Sequence, residues 1–441
     1  MSYSAAINEL NAMAPELYTH PGQPRRKFSL NEVRILLAAL GDPQRHIRSL
    51  LVAGTNGKGS TAATLASILT ASGVRAGLYT SPHLERVNER IRIDLTEIAD
   101  DSFARLYFRV HDVAQKLVVE GRLPQHPSFF EILTAQALVY FADEKGELAV
   151  LEVGMGGRLD ATNAVDPLLS VITDISLDHT EWLGSTITAI TREKAGILRR
   201  DGTLITLPQH PEANQVLGEA VAELGLRRVR AEAYIPPADA DTTTSNSVEV
   251  MGTEIEVTSP LTGAHQHRNV ALAIAAAVEL ASSHGFPITP ISIAEGIRQT
   301  RWPGRLERIE TGGMQWILDV AHNPAGAWAL RSGLSGLLTE NHPRLLVFSC
   351  LRDKPFAEMA QILFPLFDQV IFAPIHSARA TPMEEMEAAA RVTGTSILSA
   401  SSVHQGLQWA RERGHGGTVV VSGSVYLVGE VRPLLLSGGL I

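Results

Sequence analysis

Residues Leu50-Leu51-Val52-Ala53 run straight into Gly54-Thr55-Asn56-Gly57-Lys58-Gly59-Ser60-Thr61, and this passage limits what the chain can become. An apolar strand that breaks into glycines, one lysine and two hydroxyls builds a phosphate cradle. Glycines let backbone N–H groups turn around an anion, the following helix aims its positive end at it, and Lys58 adds a point charge. The spacing of Ala62, Leu65, Ala66 and Leu69 supplies that helix. Only Thr55 and Asn56 separate Gly54 from the Gly57-Lys58 pair, where the usual loop has about four residues, so the loop is a compact variant. Asn56, Gly57, Lys58, Gly59 and Ser60 are the candidate triphosphate-binding residues, on an α/β scaffold.

At 441 residues and 45% hydrophobic content, the chain exceeds the roughly 250–300 residues at which single cores stop growing, so two domains are expected. A net charge of −9 argues against a general nucleic-acid or membrane-surface partner, and positive charge for an anionic substrate must be local. Lysine occurs only at Lys27, Lys58, Lys116, Lys145, Lys194 and Lys354 among 38 basic residues. An ammonium can lose its proton in a shielded site and react, which a guanidinium cannot, so a lysine here is a chemical choice. Cys350 is the single cysteine and closes an apolar run, which fits a buried filler better than a nucleophile and a reducing compartment better than an oxidising one. The start of the chain lacks a basic segment followed by an apolar core, and no apolar run approaches membrane-spanning length. A soluble, cytoplasmic protein is expected.

Residues 1–49 read as a helix, a polar loop at His20-Pro21-Gly22-Gln23-Pro24, and a second helix ending near Gly41. Ala76–Tyr79 is a short strand entering the turn Thr80-Ser81-Pro82-His83-Leu84. Helices are expected over 100–119 and 128–142, and buried parallel strands at Leu148–Leu151 and from Ser170 to Ile175. Residues 236–246 read as a surface loop, Val248–Val257 as a hairpin-like pair, and Arg268–Ala281 as an alanine-rich helix. Near Arg301-Trp302-Pro303-Gly304-Arg305 the helical pattern stops. A new strand–helix series follows at Trp316–Leu318, Leu345–Phe348, Val370–Phe372 and Val419–Val421. The expected organisation is two doubly wound α/β domains, 1–299 and a smaller 304–441, with a hinge near 300–304.

Several strand ends carry chemistry-bearing residues, at the edge where open α/β sheets bind ligands. Glu152 can hold Mg²⁺ directly or through water, or can cap its loop. Asp160 and Asn163 can organise the turn after it. In Asp178-His179-Thr180 the imidazole is a proton carrier, a core histidine or a ligand, since oxygen suits Mg²⁺ better. Lys194 sits near a predicted helix end, where a solvated lysine is the ordinary expectation. Asp319-Val320-Ala321-His322-Asn323-Pro324 loads a strand end of the second half in the same way. Two such edges facing each other would enclose a site between domains.

Taken in order, Ala53–Thr61, Thr80–Leu84, Leu151–Asn163, Leu177–Leu183, Glu193–Ile197, Asp319–Pro324 and Ser422–Leu427 resemble the folylpolyglutamate synthases and bifunctional dihydrofolate synthases of the Mur ligase superfamily. The resemblance spans nearly the whole chain. It implies a Mur-type central domain related to phosphate-loop NTPases, a Rossmann-like C-terminal domain, and an ATP-dependent amide ligase. A folate-type carboxylate takes the γ-phosphoryl group of ATP, and the amine of L-glutamate displaces phosphate.

By similarity, Asn269, Arg305 and Asp319 contact ATP, while Ser81, Glu152 and His179 coordinate two Mg²⁺ ions. Lys194 is the family's carbamylated N6-carboxylysine, formed with CO₂. Ser128, Phe129, Phe130, Glu131, Leu159, Asp160 and Ala161 form the folate site, for dihydropteroate or tetrahydrofolate. For the two phenylalanines, helix packing and pterin stacking stay equally open. Lys58, Lys194, His179 and His322 are the catalytic candidates, in a monomer. Departures from the family pattern are small: Thr191 replaces a small apolar residue, and Ile93-Asp94-Leu95 replaces an Asn-Gly turn. Two alternatives remain, a Mur-type ligase acting on a UDP-sugar acceptor and a nucleotide-gated binding module without ligase activity.

Overall fold

The computed structural model describes residues 2–13, 29–236, 246–338 and 341–438. The expected loop at 20–24 and most of the one at 236–246 lie outside these residues. Two sheets carry the fold. The first joins β1 (Arg48–Ala53), β2 (Ala76–Tyr79), β3 (Ile91–Ile93), β4 (Thr96–Glu97), β5 (Leu148–Glu152), β6 (Ser170–Ile172), β7 (Thr203–Thr206) and β8 (Arg227–Arg230) in the order β4-β3-β2-β5-β1-β6-β7-β8. Every pairing from β2 to β8 is parallel, and β3 and β4 add an antiparallel edge. The reversal of strand order beside β1 opens the crevice where the phosphate loop lies.

The strand at Ser170 stops at Ile172 rather than Ile175, because Thr173 and Asp174 turn towards the phosphate loop. The Thr173 hydroxyl donates to Asn56 O at 2.7 Å, and Asp174 O accepts from Thr55 N and Asn56 N. Between β3 and β4 the two turn residues Asp94 (φ 50°) and Leu95 (φ 66°) are both left-handed. Hairpin twist demands that geometry of a two-residue loop, and Asp94 Oδ1 accepts from Ala76 N at 2.9 Å in place of the more usual Asn-Gly. Thr191 is accommodated by a hydroxyl donation to Ile187 O.

The helix Lys58–Ala71 packs under the sheet against Ala264–His284 and Pro290–Gln299, with 11 of its 14 residues buried. It therefore lacks an amphipathic stripe and belongs to the interior. A separate two-stranded ribbon, β9 (Asn246–Val250) and β10 (Thr253–Val257), covers part of that core.

The second sheet joins β11 (Glu307–Thr311), β12 (Met314–Leu318), β13 (Arg344–Phe348), β14 (Gln369–Phe372), β15 (Ser396–Ser399) and β16 (Thr418–Ser422) in the order β11-β12-β16-β13-β14-β15. Only β11 is antiparallel. Apolar clusters fill both faces of this sheet, so it has a core of its own. Cys350 lies inside it, and burial pushes its thiol up to about 12, as expected of a filler.

Candidate active site

One cavity of about 600 Å³ opens between the carboxyl edges of the two sheets. Beside it, the phosphate loop follows β1. Gly57 ends the loop at φ 85°, and a side-chain carbon there would stand 2.1 Å from Asn269 Oδ1. Glycine is therefore required twice over, by conformation and by space. Lys58 Nζ donates to Thr55 O at 3.1 Å. Burial holds its pKa below the ordinary lysine value, against the opposing charges of Glu152 and Asp178. Ser60 Oγ is buried without a hydrogen-bond partner. A buried orphan hydroxyl is costly unless a ligand completes it, and here it sits in the first turn of a helix whose positive end faces the loop. Gly59 lies against the Trp302 ring.

Glu152, at the end of β5, accepts from Ser81 N at 3.0 Å. Burial raises its pKa, opposed by Lys58. His179 is left-handed at φ 50°, and burial brings its imidazole down to about 3, so it is neutral. Ser81, Glu152 and His179 all line the cavity. Among the described residues no group of three or more His, Cys, Asp or Glu forms a metal cage. Mg²⁺ suits such a site, because it keeps waters and takes one or two protein carboxylates plus substrate phosphates. The residues present fit a metal that arrives with a nucleotide.

Lys194 is buried inside the first lobe. Its Nζ donates to Gly54 O at 2.7 Å, and it makes no ion pair among the described residues. Burial, reinforced by Lys58, brings its pKa down to about 7. The sequence expectation of a solvated lysine is thus overturned: Lys194 is buried and its Nζ reaches the phosphate loop.

The second lobe reaches the same place. Asn323 Nδ2 donates to Asn56 Oδ1 at 3.1 Å and to Asp178 Oδ2 at 3.0 Å, while Lys354 Nζ meets Asp178 Oδ1 at 2.6 Å. Burial would raise the Asp178 pKa, but His179, Lys354 and His322 outweigh it and hold the carboxyl well below the usual range. His322 Nδ1 donates to Val320 O at 2.8 Å, which leaves Nε2 as an acceptor 3.8 Å from Asp178. Burial and Lys354 lower the His322 pKa to about 4. Asp319 accepts from Leu306 N and Ala321 N, each at 2.9 Å, and burial raises its pKa against the pull of Arg305. Arg305 lines the cavity, whereas Asn269 flanks the loop from the first lobe.

Of the expected folate-site residues, Phe129, Phe130, Glu131, Leu159, Asp160 and Ala161 line the cavity. Phe130 is buried beside Tyr79 at 5.7 Å, and the half-buried Phe129 lies under the Arg90 guanidinium at 5.0 Å. Ser128 and Glu131 form a capping box on the helix Phe129–Asp143, so Ser128 shapes that wall from behind. Asp160 anchors its turn through Thr162 and Met155 N. Sequence reasoning left out Arg90, Lys354, Arg379 and Tyr426, and also Leu10 and Asn11 of the first helix, Tyr3–Ala12, with Met13 just after it. Lysine scarcity was a signal for Lys354, and Tyr426 lies in the Ser422–Leu427 motif without having been given a role; nothing local marks the others.

These two lobes match two family models, the Mur ligase middle domain over residues 52–277 and the Mur ligase glutamate ligase domain over 304–425. The class is therefore that of the Mur ligases. Folylpolyglutamate synthase of Lacticaseibacillus casei is 36% identical over 409 residues, covering 91% of this chain and 93% of that protein. Dihydrofolate synthase/folylpolyglutamate synthase of Bacillus subtilis is 33% identical over 427 residues, covering 93% and 95%. Among solved structures, Mycobacterium tuberculosis folylpolyglutamate synthase complexed with ADP superposes with a TM-score of 0.87 at 31% identity over 98% of both chains. E. coli FolC in complex with DHPP and ADP superposes with a TM-score of 0.84 at 29% identity, over 100% of this chain and 99% of that one. The chain belongs to the folylpolyglutamate synthase/dihydrofolate synthase family of ATP-dependent ligases.

Proposed function

We propose that this enzyme joins L-glutamate to the carboxylate of a pteroate or folate, dihydropteroate or tetrahydrofolate, through an acyl phosphate made from ATP. The observation that carries the reading is Asn323 hydrogen-bonded to Asn56: a loop built for phosphate is met by the opposite lobe over one cavity. A carboxylate is a poor electrophile, so a phosphoryl group must become its leaving group, and water must be kept away until the amine arrives. Lys58 and the loop amides hold the triphosphate, with Asn269, Arg305 and Asp319 at its nucleoside side. Ser81, Glu152 and His179 would hold Mg²⁺, which would supply charge neutralisation there. Phe129, Phe130 and the 159–161 turn hold the pterin, with Ser128 and Glu131 fixing the helix.

His322 Nε2, free of a proton, is the proposed acceptor of a hydrogen bond that orients the incoming amine. Lys194 is read as a carbamate: the ammonium first gives one proton to solvent, the free amine attacks CO₂, and as the N–C bond forms one C–O π bond opens onto oxygen and a second proton passes to solvent, so that a buried cation becomes an anion. The two lobes, 1–299 and 304–441, close about a hinge near 300–304. A monomeric working unit is proposed, since residues of both lobes of this chain line the cavity. No described helix is long and apolar enough to cross a membrane, and a cytoplasmic place is proposed with it.

The test offers purified enzyme, ATP, Mg²⁺ and glutamate either dihydropteroate or tetrahydrofolate carrying ¹⁸O in its carboxyl group. Label should appear in the released phosphate, and only when an acceptor is present. Phosphate release confined to a UDP-sugar acceptor, or indifferent to both substrates, would overturn the reading.

A further inference from the structure

The lobes touch in two unlike ways. On one side lie polar contacts, Asn323 to Asn56, which is partly buried, and Lys354 to Asp178, which is buried while the lobes stand together. On the other, Leu84 of the first lobe leaves its own core and packs into that of the second. Its Cδ2 stands 3.5 Å from the position a side-chain carbon would take on Gly304, where Val320 and Val428 also converge. The helix Val425–Leu436 crosses directly over the Leu84 backbone: a side-chain carbon on Gly429 would lie 1.9 Å from Leu84 O. Only glycine permits that approach. Arg432, one turn on, grips Glu85 at 2.7 Å and Glu307 at 2.9 Å.

The turn that offers Leu84 is itself stiff. The Glu89 carboxylate accepts from the backbone N–H groups of Leu84, Glu85 and Arg86 at 2.8, 2.7 and 2.6 Å. Three residues before Leu84, Ser81 N is tied to Glu152. The contact also lies against Gly304, at the point where the chain passes from one lobe to the other. A joint there has almost no lever arm, keeps its apolar surface buried at every angle, and leaves the polar side free to part.

We propose that Leu84 is a ball held in a second-lobe socket of Gly304, Val320, Val428 and Gly429, and that the lobes turn about it. Gly429 and Arg432 are then positioning residues: they keep the turn bearing Ser81 at the axis, so Ser81 and Glu152 hold their geometry while Lys354 and Asn323 swing. The distance test below stands whatever the acceptor is, and only its kinetic arm rests on the ligase reading.

Spin labels are placed through Glu219→Cys and Glu412→Cys, exposed positions on different lobes, with buried Cys350 left unlabelled. Pulsed dipolar distances are recorded without nucleotide and with ADP and Mg²⁺. Leu84→Ala, which empties the socket, and Gly429→Ala, which lifts the helix, should each broaden the distribution in both states. Leu84→Met should restore its width, and Leu436→Ala, exposed at the far end of the same helix, should leave it alone. In turnover with ATP, acceptor and glutamate, kcat should fall on the order of tenfold while KM for ATP stays put. Unchanged distance widths in folded Leu84→Ala would overturn the proposal, and Leu84→Ala alone decides it should Gly429→Ala not fold.

Discussion

Lys354→Met tests the ion pair that joins the two lobes. The Lys354 and Asp178 side chains are 4% and 7% accessible and meet at 2.6 Å, so removing the ammonium strands a buried carboxylate. Breaking such a pair typically costs about 3–5 kcal/mol. Asp178 keeps Asn323 Nδ2 at 3.0 Å and His179 N at 2.8 Å, which places the loss near the lower end, about 3 kcal/mol. Asp178→Asn should cost a similar amount, because among the described residues Lys354 is left with only Asp353 at 3.9 Å. The double variant should cost less than the two together, with a coupling of about 2 kcal/mol.

Urea unfolding of the four chains at pH 7, followed by circular dichroism, measures this cycle. Losses that add to within about 0.5 kcal/mol would refute the pairing. The pH dependence follows from the same geometry. The native Asp178 carboxyl is held below its unfolded value of about 3.9. Its contribution is thus complete above that pH and fades only as acid drives the pH below it, and in Lys354→Met the fading should begin at higher pH.

Lys58→Ala should abolish ligation with an unchanged dichroism spectrum, and retained turnover would remove Lys58 from the phosphate site. The free Lys194 amine has linkage of the same sign as Asp178 in a different window: its pKa falls from 10.5 to about 7 on folding, so the unfolded chain binds more protons and stability should rise as pH climbs between those values. Lys194→Met should flatten that rise in a series of thermal melts, while Lys194→Ala loses activity that short carboxylates partly restore. Full activity of the unsubstituted enzyme in CO₂-free buffer would refute the carbamate. Glu152→Gln should raise the Mg²⁺ concentration needed for half-maximal turnover without changing the melt by more than a few degrees. An unaltered metal titration would argue that Glu152 only caps its loop.

The phosphate loop was legible because one short passage carries strand, glycines, lysine and helix together. The parallel strands were legible for a similar reason: burial on both faces leaves continuous apolar runs at Leu148–Leu151 and Leu345–Phe348. β15 was missed because an edge strand alternates weakly and its partner β14 lies more than twenty residues back, while β11 was missed although its partner β12 follows directly across the Gly312-Gly313 turn. The depth of Lys194 was hidden as well, since nothing in Arg192-Glu193-Lys194-Ala195 says that its helix ends against Gly54. Lys354 and Asn323 could be seen only as residue types, because the pairing across the lobes joins residues 176 positions apart. The cavity walls at Leu10 and Tyr426 come from the two ends of the chain, which no local pattern connects.

Because the helix behind the phosphate loop is enclosed on nearly every side, its N–H groups are fixed in place before any guest arrives. Opening that helix would mean dismantling the interior of the first lobe, so its amide protons should be among the slowest to exchange in the whole molecule. Nucleotide can come and go by the movement of the surrounding parts alone, against an anvil that does not yield.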